Sequence, residues 1–220
     1  MNIDKKEVLR YLGYKGSNAD KETSDLIDEC IDEINNIAKP KYIYKIFDLE
    51  KEDDKINILK TTLSLNSKNI SSHLKSSCKC AVMAATLGVQ TDRQILIYSN
   101  LNLTKALVMD SCATAAIESL CDIAQEEIKE YAKTLDFNIT GRFSPGYGDL
   151  SIEIQPEILN ILNAYKTIGL SATENSILIP RKSVTAFIGL QKSKSNDNSL
   201  ECLSCSKENC EYRRSEYTNE

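Results

Sequence analysis

The chain has 220 residues, with 27 Lys+Arg against 32 Asp+Glu for a net charge of −5, and hydrophobic residues make up 41%. That is the size of one large domain, or of one domain with an appendage, and it holds enough apolar material for a core. The acidic balance argues against a broad basic face for duplex nucleic acid, and 6% aromatics with no Trp leave little for base stacking or a membrane-interface belt.

The opening residues MNIDKKEVLR turn polar at once, and no run approaches the about 18 apolar residues of a membrane span. Eight cysteines are too sparse for a disulfide scaffold, so they are expected to stay reduced in a cytoplasmic protein. Lys5 to Leu12 reads as a short helix ended by Gly13, and Ser17-Asn18 offers the N-cap of a second helix. That helix carries Leu26, Ile27, Cys30, Ile31, Ile34 and Ile37 at helical spacing and stops at Pro40. Tyr42 to Leu65 reads as strands broken by an acidic turn at Glu52-Asp53-Asp54. Ser67 to Lys75 predicts a helix, and the apolar run Cys80 to Ala85 predicts a buried central strand.

No Gly or Pro punctuates the sequence between Gly88 and Gly141, which predicts two helices jointed at Ser99-Asn100. The second carries Leu103, Ala106, Leu107, Ala113, Ile117, Leu120, Cys121, Ala124, Ile128 and Tyr131 on one stripe, with Asp110 near its middle. An acid there is costly unless it is paired or serves a site. Strand and turn signals return after Gly141, Gln155 to Lys166 predicts a helix with Pro156 in its first turn, and Gly169 to Leu190 predicts two or three strands around Pro180. Composition breaks at Lys192, dividing the chain into a domain at 1–191 and a linker with a cysteine-containing tail at 192–220.

Two motifs can carry chemistry. In Arg142-Phe143-Ser144-Pro145-Gly146-Tyr147-Gly148-Asp149, the Pro-Gly pair makes a tight turn whose backbone can approach a ligand, and Arg142 supplies a planar fork suited to a carboxylate. The simpler alternative is a plain β-turn with a surface arginine. In the tail, Cys202-x2-Cys205-x4-Cys210 places three thiols where they can converge on zinc or an iron–sulfur cluster. A fourth ligand would be Cys78, Cys80, water, a substrate or a cysteine of another chain; the alternative is a flexible tail with incidental thiols. Cys30, Cys112 and Cys121 read as helix residues, and His73, the single histidine, makes a histidine-based triad improbable.

Arg142 to Tyr147, then Ile168-Gly169-Leu170-Ser171-Ala172-Thr173-Glu174, then Pro180-Arg181-Lys182-Ser183-Val184-Thr185-Ala186 resemble, in order and spacing, three elements of the activation domain of cobalamin-dependent methionine synthase. The resemblance is firmest over residues 140–190, and the chain is similar to stand-alone forms of that domain. It implies an α+β fold, a twisted and mainly antiparallel sheet flanked by helices. It also implies a groove for S-adenosylmethionine, in which Arg142 holds the methionine carboxylate, the backbone at Ser144 meets the adenine, and Pro145, Gly146 and Tyr147 shape the wall. Periodicity adds Asp110 or Glu118 as partners for the ligand's ammonium or sulfonium.

The function implied is reductive methylation of the cobalamin held by methionine synthase or another corrinoid protein, with the electron drawn from a donor such as flavodoxin or ferredoxin. In that role the chain is a component of a methyltransferase activity, without a general base of its own. The alternatives are an electron-transfer or corrinoid-activating protein working through the cysteine tail, and a non-catalytic module that gates the methyltransferase. Two departures stand out: Gly148 replaces the proline that commonly follows Pro-Gly-Tyr, and a further strand with a tyrosine-bearing segment is missing from the tail.

Overall fold

Aspartates start the first two helices of the computed structural model, which describes residues 2–14, 19–52 and 55–192. Asp4 caps α1 (Lys5–Tyr11) and Asp20 caps α2 (Lys21–Ile37), each carboxylate accepting a backbone N–H of the first turn. The expected cap residues Ser17 and Asn18, like the turn residues Asp53 and Asp54 and the tail cysteines Cys202, Cys205 and Cys210, lie outside the described residues.

A meander follows, of β1 (Lys41–Glu52), β2 (Lys55–Ile58) and β3 (Ser64–Asn66), and then α3 (Lys68–His73), capped by Ser67. The apolar run forms β4 (Lys79–Thr86), followed by α4 (Val89–Leu101), α5 (Leu103–Thr134) and β5 (Asn138–Phe143). The chain closes with α6 (Gln155–Leu162), α7 (Ala164–Ile168), a small hairpin of β6 (Ser171–Ala172) and β7 (Leu178–Ile179), and β8 (Ser183–Gln191).

Six strands form one sheet in the order β3-β2-β1-β4-β8-β5, with antiparallel neighbours throughout. Strands β4 and β8 are buried on both faces, and their side chains divide between two cores with the period of two that a pleated strand imposes. Ala81, Met83, Ala85, Ala186, Ile188 and Leu190 face the core under α1, α2 and α5. Cys80, Val82, Ala84 and Phe187 face the core under α3, α6 and α7. The expected class, α+β with an antiparallel sheet between helices, is the observed one. Among the described residues no helix is long and apolar enough to cross a membrane.

Three local expectations are corrected. The joint between α4 and α5 is Asn102, whose side chain accepts from the Lys105 N–H at 3.0 Å. Ser99 and Asn100 remain helical, with both side chains bonded back to Leu96 O at 2.7 and 2.9 Å. The stretch Gln155 to Lys166 is two helices, divided at Asn163, which takes the left-handed conformation (φ 56°) that asparagine tolerates.

The third correction concerns α5. Its buried face runs through Ala106, Met109, Cys112, Ala113, Ala116, Leu120 and Cys121, whereas Leu103, Leu107 and Tyr131 of the expected stripe are 75%, 60% and 48% exposed. Small residues let α5 lie close to the sheet while α1, α2 and α4 pack on its flanks, so the burial it needs is not one stripe. Asp110 consequently sits half-exposed beside the core rather than in it.

Candidate functional site

Arg142 reaches the site through a strand irregularity. β5 pairs Ile139 with Leu190 and Arg142 with Ile188, so one extra residue is accommodated between them. Such a bulge bends the strand and re-aims its side chains. Thr140 and Gly141 fill the bulge: Thr140 Oγ1 accepts from the Gly189 N–H at 2.8 Å, and His73 Nε2 lies 3.0 Å from Thr140 Oγ1 and 3.1 Å from Gly141 O. His73 is half-buried against Phe143, and desolvation lowers its pKa while the hydrogen bond to Gly141 O opposes that shift. The single histidine is structural here.

Beyond the bulge, the Arg142 guanidinium lies against α5. Nη1 donates to Asp122 Oδ1 (2.8 Å) and Gln125 Oε1 (3.0 Å), and Nη2 donates to Glu118 Oε2 (3.1 Å). The side chain is only 13% exposed, while the Asp122 and Glu118 side chains are 57% and 33% exposed. Burial opposes the guanidinium charge, the neighbouring carboxylates favour it, and the net shift is upward. Three of the five N–H donors are thus committed to α5 among the described residues, and the cluster of one cation and two carboxylates carries an excess negative charge.

The loop that follows is held at both ends. Pro145 is buried, and Gly146, at φ 93°, donates its N–H to Leu150 O at 2.7 Å. Tyr147 is 56% exposed, with its ring edge-on to Phe143 at 6.1 Å. The Asp149 carboxylate accepts from the N–H groups of Lys68 (2.8 Å) and Asn69 (3.1 Å) and from the Ser67 hydroxyl, which sit at the start of α3. These hydrogen bonds, the Ser67 hydroxyl first, hold its pKa below the usual carboxylate range. Gly148 adopts φ 55°, and a Cβ there would lie 2.7 Å from Asn69 Cγ. Proline, fixed near −65°, is incompatible with that geometry, whereas glycine adopts it without strain.

The other two sequence elements take different places. Ile168 to Glu174 supplies the end of α7, β6 and the turn of the small hairpin, in which the Thr173 N–H donates to Ile177 O at 2.8 Å. Pro180 to Ala186 leads into β8, and Asp92 of α4 accepts from the N–H groups of Arg181 (2.5 Å) and Lys182 (3.3 Å). Lys182 Nζ reaches Asp110 Oδ1 at 2.9 Å and Thr114 Oγ1 at 2.8 Å. Of the two acids expected to face a ligand, Glu118 therefore lies at Arg142. Asp110 lies eight residues away, about 12 Å along the helix axis, and is paired with Lys182.

Asp122 and Gln125 were missed from the sequence, although Glu118, Asp122 and Gln125 fall at i, i+4 and i+7 on one helix face. Among the described residues no group of three or more His, Cys, Asp or Glu is placed to hold a metal.

The architecture is thus that of an α+β domain with a bulge-mounted arginine beside a long helix. No family model matches the chain, and no curated protein sequence matches it. Among solved structures it is similar to the crystal structure of the MetH reactivation domain bound to AdoHcy, with a TM-score of 0.61 and 14% identity, over 79% of this chain and 67% of that one. The chain has the reactivation-domain fold that its sequence elements imply.

Proposed function

We propose that the chain binds S-adenosylmethionine and supports reactivation of the cobalamin of a methionine synthase or a related corrinoid methyltransferase. The observation that carries this reading is Arg142, held at a bulge beside two carboxylates and followed by the Pro-Gly-Tyr turn, in a fold similar to a reactivation domain whose structure contains AdoHcy. Charge supports it. S-adenosylmethionine carries two cationic centres and one carboxylate, and the cluster of Arg142, Glu118 and Asp122 has the opposite excess.

In this reading the uncommitted donors of Arg142 take the ligand carboxylate, and Glu118 and Asp122 face a cationic centre. The Ser144 backbone meets the adenine, while Pro145, Gly146 and Tyr147 form the wall. Glu118 is preferred to Asp110, which Lys182 already neutralises. S-adenosylmethionine supplies the methyl group, and the partner's cobalt, reduced by a donor such as flavodoxin or ferredoxin, supplies the electron pair as the C–S bond breaks and S-adenosylhomocysteine leaves. No proton moves in that transfer, so this chain's residues are required to position the ligand and not to act as acid or base. The domain at 1–191 does this work in the cytoplasm.

The spacing Cys202-x2-Cys205-x4-Cys210 supports a second role for the segment 192–220, as a zinc or iron–sulfur site appended to the domain.

The test is calorimetric titration of S-adenosylmethionine into the wild type, Arg142→Lys and Glu118→Gln, alone and with a corrinoid methyltransferase present. Saturable binding is expected, weakened in Arg142→Lys by more than about 1.5 kcal/mol for a lost charged hydrogen bond. Folded protein that takes up no ligand with or without the corrinoid protein refutes the reading.

A further inference from the structure

We propose that the outer face of the α4–α5 hairpin is the interface through which two copies of this chain form a two-fold dimer. The proposal stands apart from the ligand reading. Leu107, the last residue of that face, lies eleven residues before Glu118 on α5, about 16 Å along the helix axis.

The face follows from how α4 is built. Its inner side packs Ile95 and Tyr98 against the core, while its outer side carries Val89, Leu96, Ile97 and Leu101. A helix that is apolar all round belongs in a setting that covers it all round. Among the described residues only the inner side of α4 is covered. Asn102 alone joins α4 to α5, and Lys182 ties the far ends of the hairpin, with its N–H on Asp92 of α4 and its Nζ on Asp110 of α5. α5 therefore runs back alongside α4 and adds Leu103 and Leu107 to the exposed apolar surface.

These six side chains are between 47% and 76% exposed. Single exposed aliphatics are ordinary, but six on two adjoining helices form a patch of the kind that marks an interface. At about 100 Å² of apolar surface for a whole large aliphatic side chain, the six leave about 350–400 Å² in water. Two copies face to face bring about 700–800 Å² together, against the about 1,000 Å² of apolar area in a standard homodimer interface. The polar rim supplies the rest, so the area is enough for a stable dimer of modest affinity.

Charge points to a second copy as the occupant. Asp92, Arg93 and Lys105 are the charged residues between Gly88 and Leu107. Lys105 turns inward to Glu29 (2.6 Å) and Glu33 (3.1 Å), and Asp92 accepts the N–H groups of Arg181 and Lys182. Arg93 is left on the face, where its stem can lie over apolar surface and its head reach the rim; arginine is enriched in interfaces for this reason. A strongly charged partner would be met by a charged face such as that of α2, which exposes Glu22, Asp25, Asp28 and Asp32. Two copies of a chain with net charge −5 repel through such surfaces. The nearly neutral α4–α5 face is where they can meet without that penalty, and a two-fold axis makes one apolar patch its own complement.

The test is sedimentation equilibrium of the full chain under reductant, so that no inter-chain disulfide contributes, from about 1 to 500 μM to bracket the micromolar affinity that modest interfaces reach. The wild type is expected to approach twice the chain mass. Leu96→Glu and Leu107→Glu, each placing a charge in the apolar centre, should weaken dimerisation by about 30-fold or more, the loss that defines a dominant interface residue. Both sites are exposed in the single chain, so both variants are expected to keep the wild-type circular dichroism. Tyr165→Glu, an equally exposed control on α7, should dimerise as the wild type does. Hydrogen exchange read by mass spectrometry should show residues 89–107 losing protection when the wild type is diluted through its dissociation constant. A wild type that stays at the chain mass throughout overturns the proposal. So does a dimer that both glutamate variants retain, or a face that becomes protected only when a corrinoid methyltransferase is added.

Discussion

Replacing Arg142 with alanine tests whether the arginine latches β5 to α5. The guanidinium makes one contact to a mostly exposed carboxylate (Asp122), one to a one-third exposed carboxylate (Glu118) and one to Gln125. Charged hydrogen bonds contribute about 1.5–3 kcal/mol when buried, and exposed ion pairs about 0–1 kcal/mol. Discounted for exposure, Asp122 contributes about 0.5 kcal/mol, and Glu118 and Gln125 about 1 kcal/mol each. The expected loss for Arg142→Ala is therefore about 2–3 kcal/mol. Urea unfolding with a slope of about 2 kcal/mol/M converts this to a midpoint lower by about 1–1.5 M. A double-mutant cycle with Glu118→Gln isolates that pair and should give a coupling of about 1 kcal/mol. A loss below about 0.5 kcal/mol together with zero coupling would refute the latch, and with it the claim that the arginine is held ready for a ligand.

Three further outcomes follow from the same neighbourhood. Gly148→Pro cannot reach φ 55° and should lower the thermal midpoint by about 4–8 °C, for a loss near 2 kcal/mol in a chain of this size; an unchanged midpoint would contradict the loop geometry. His73 has a folded pKa depressed by burial, so its contribution is present above the unfolded value near 6.5 and is lost as pH falls toward the folded value. Urea midpoints should therefore decline from about pH 6.5 downward in the wild type, and His73→Gln should remove that part of the slope. With one histidine in the sequence no other imidazole can produce it. Brief alkylation read by mass spectrometry should modify Cys78 among the described cysteines and spare Cys80, Cys112 and Cys121 until denaturant is added.

What the sequence disclosed depended on whether the deciding contacts were local. Cys80 to Ala85 was readable as a central strand because burial on both faces leaves an uninterrupted apolar run. Ser67 marked its helix because capping is set within three residues. The facing of α5 was not readable. Small residues and several neighbouring helices make its burial wide, so a single-stripe count placed Leu107 inside and Asp110 at the centre, when Leu107 is exposed and Asp110 is paired with Lys182. The partners of Arg142 were hidden for a related reason. Acids on the outer face of a long helix look like solvated charge, and only the bulge in β5, produced by pairing with a strand some fifty residues later, brings the arginine to them.

That bulge bears on how such a site would work. The rigid helix α5 makes both polar connections: Asp110 to Lys182 at the entry to β8, and Glu118, Asp122 and Gln125 to Arg142 after the bulge in β5. The two chain segments that the sequence singled out are thereby fixed relative to each other through one element, and Asp149 fixes the intervening loop to α3. An arginine already held spares a ligand the about 0.5–1.5 kcal/mol needed to order a long side chain. In the proposed methyl transfer, where this chain would contribute placement and no acid–base group, that rigidity would be its contribution, since a displacement of about 1 Å in a reacting centre can cost 100-fold in rate. Loosening the latch by Glu118→Gln should accordingly depress methyl transfer in the assembled system more than it weakens ligand binding, whereas equal losses in both would assign the cluster to affinity alone.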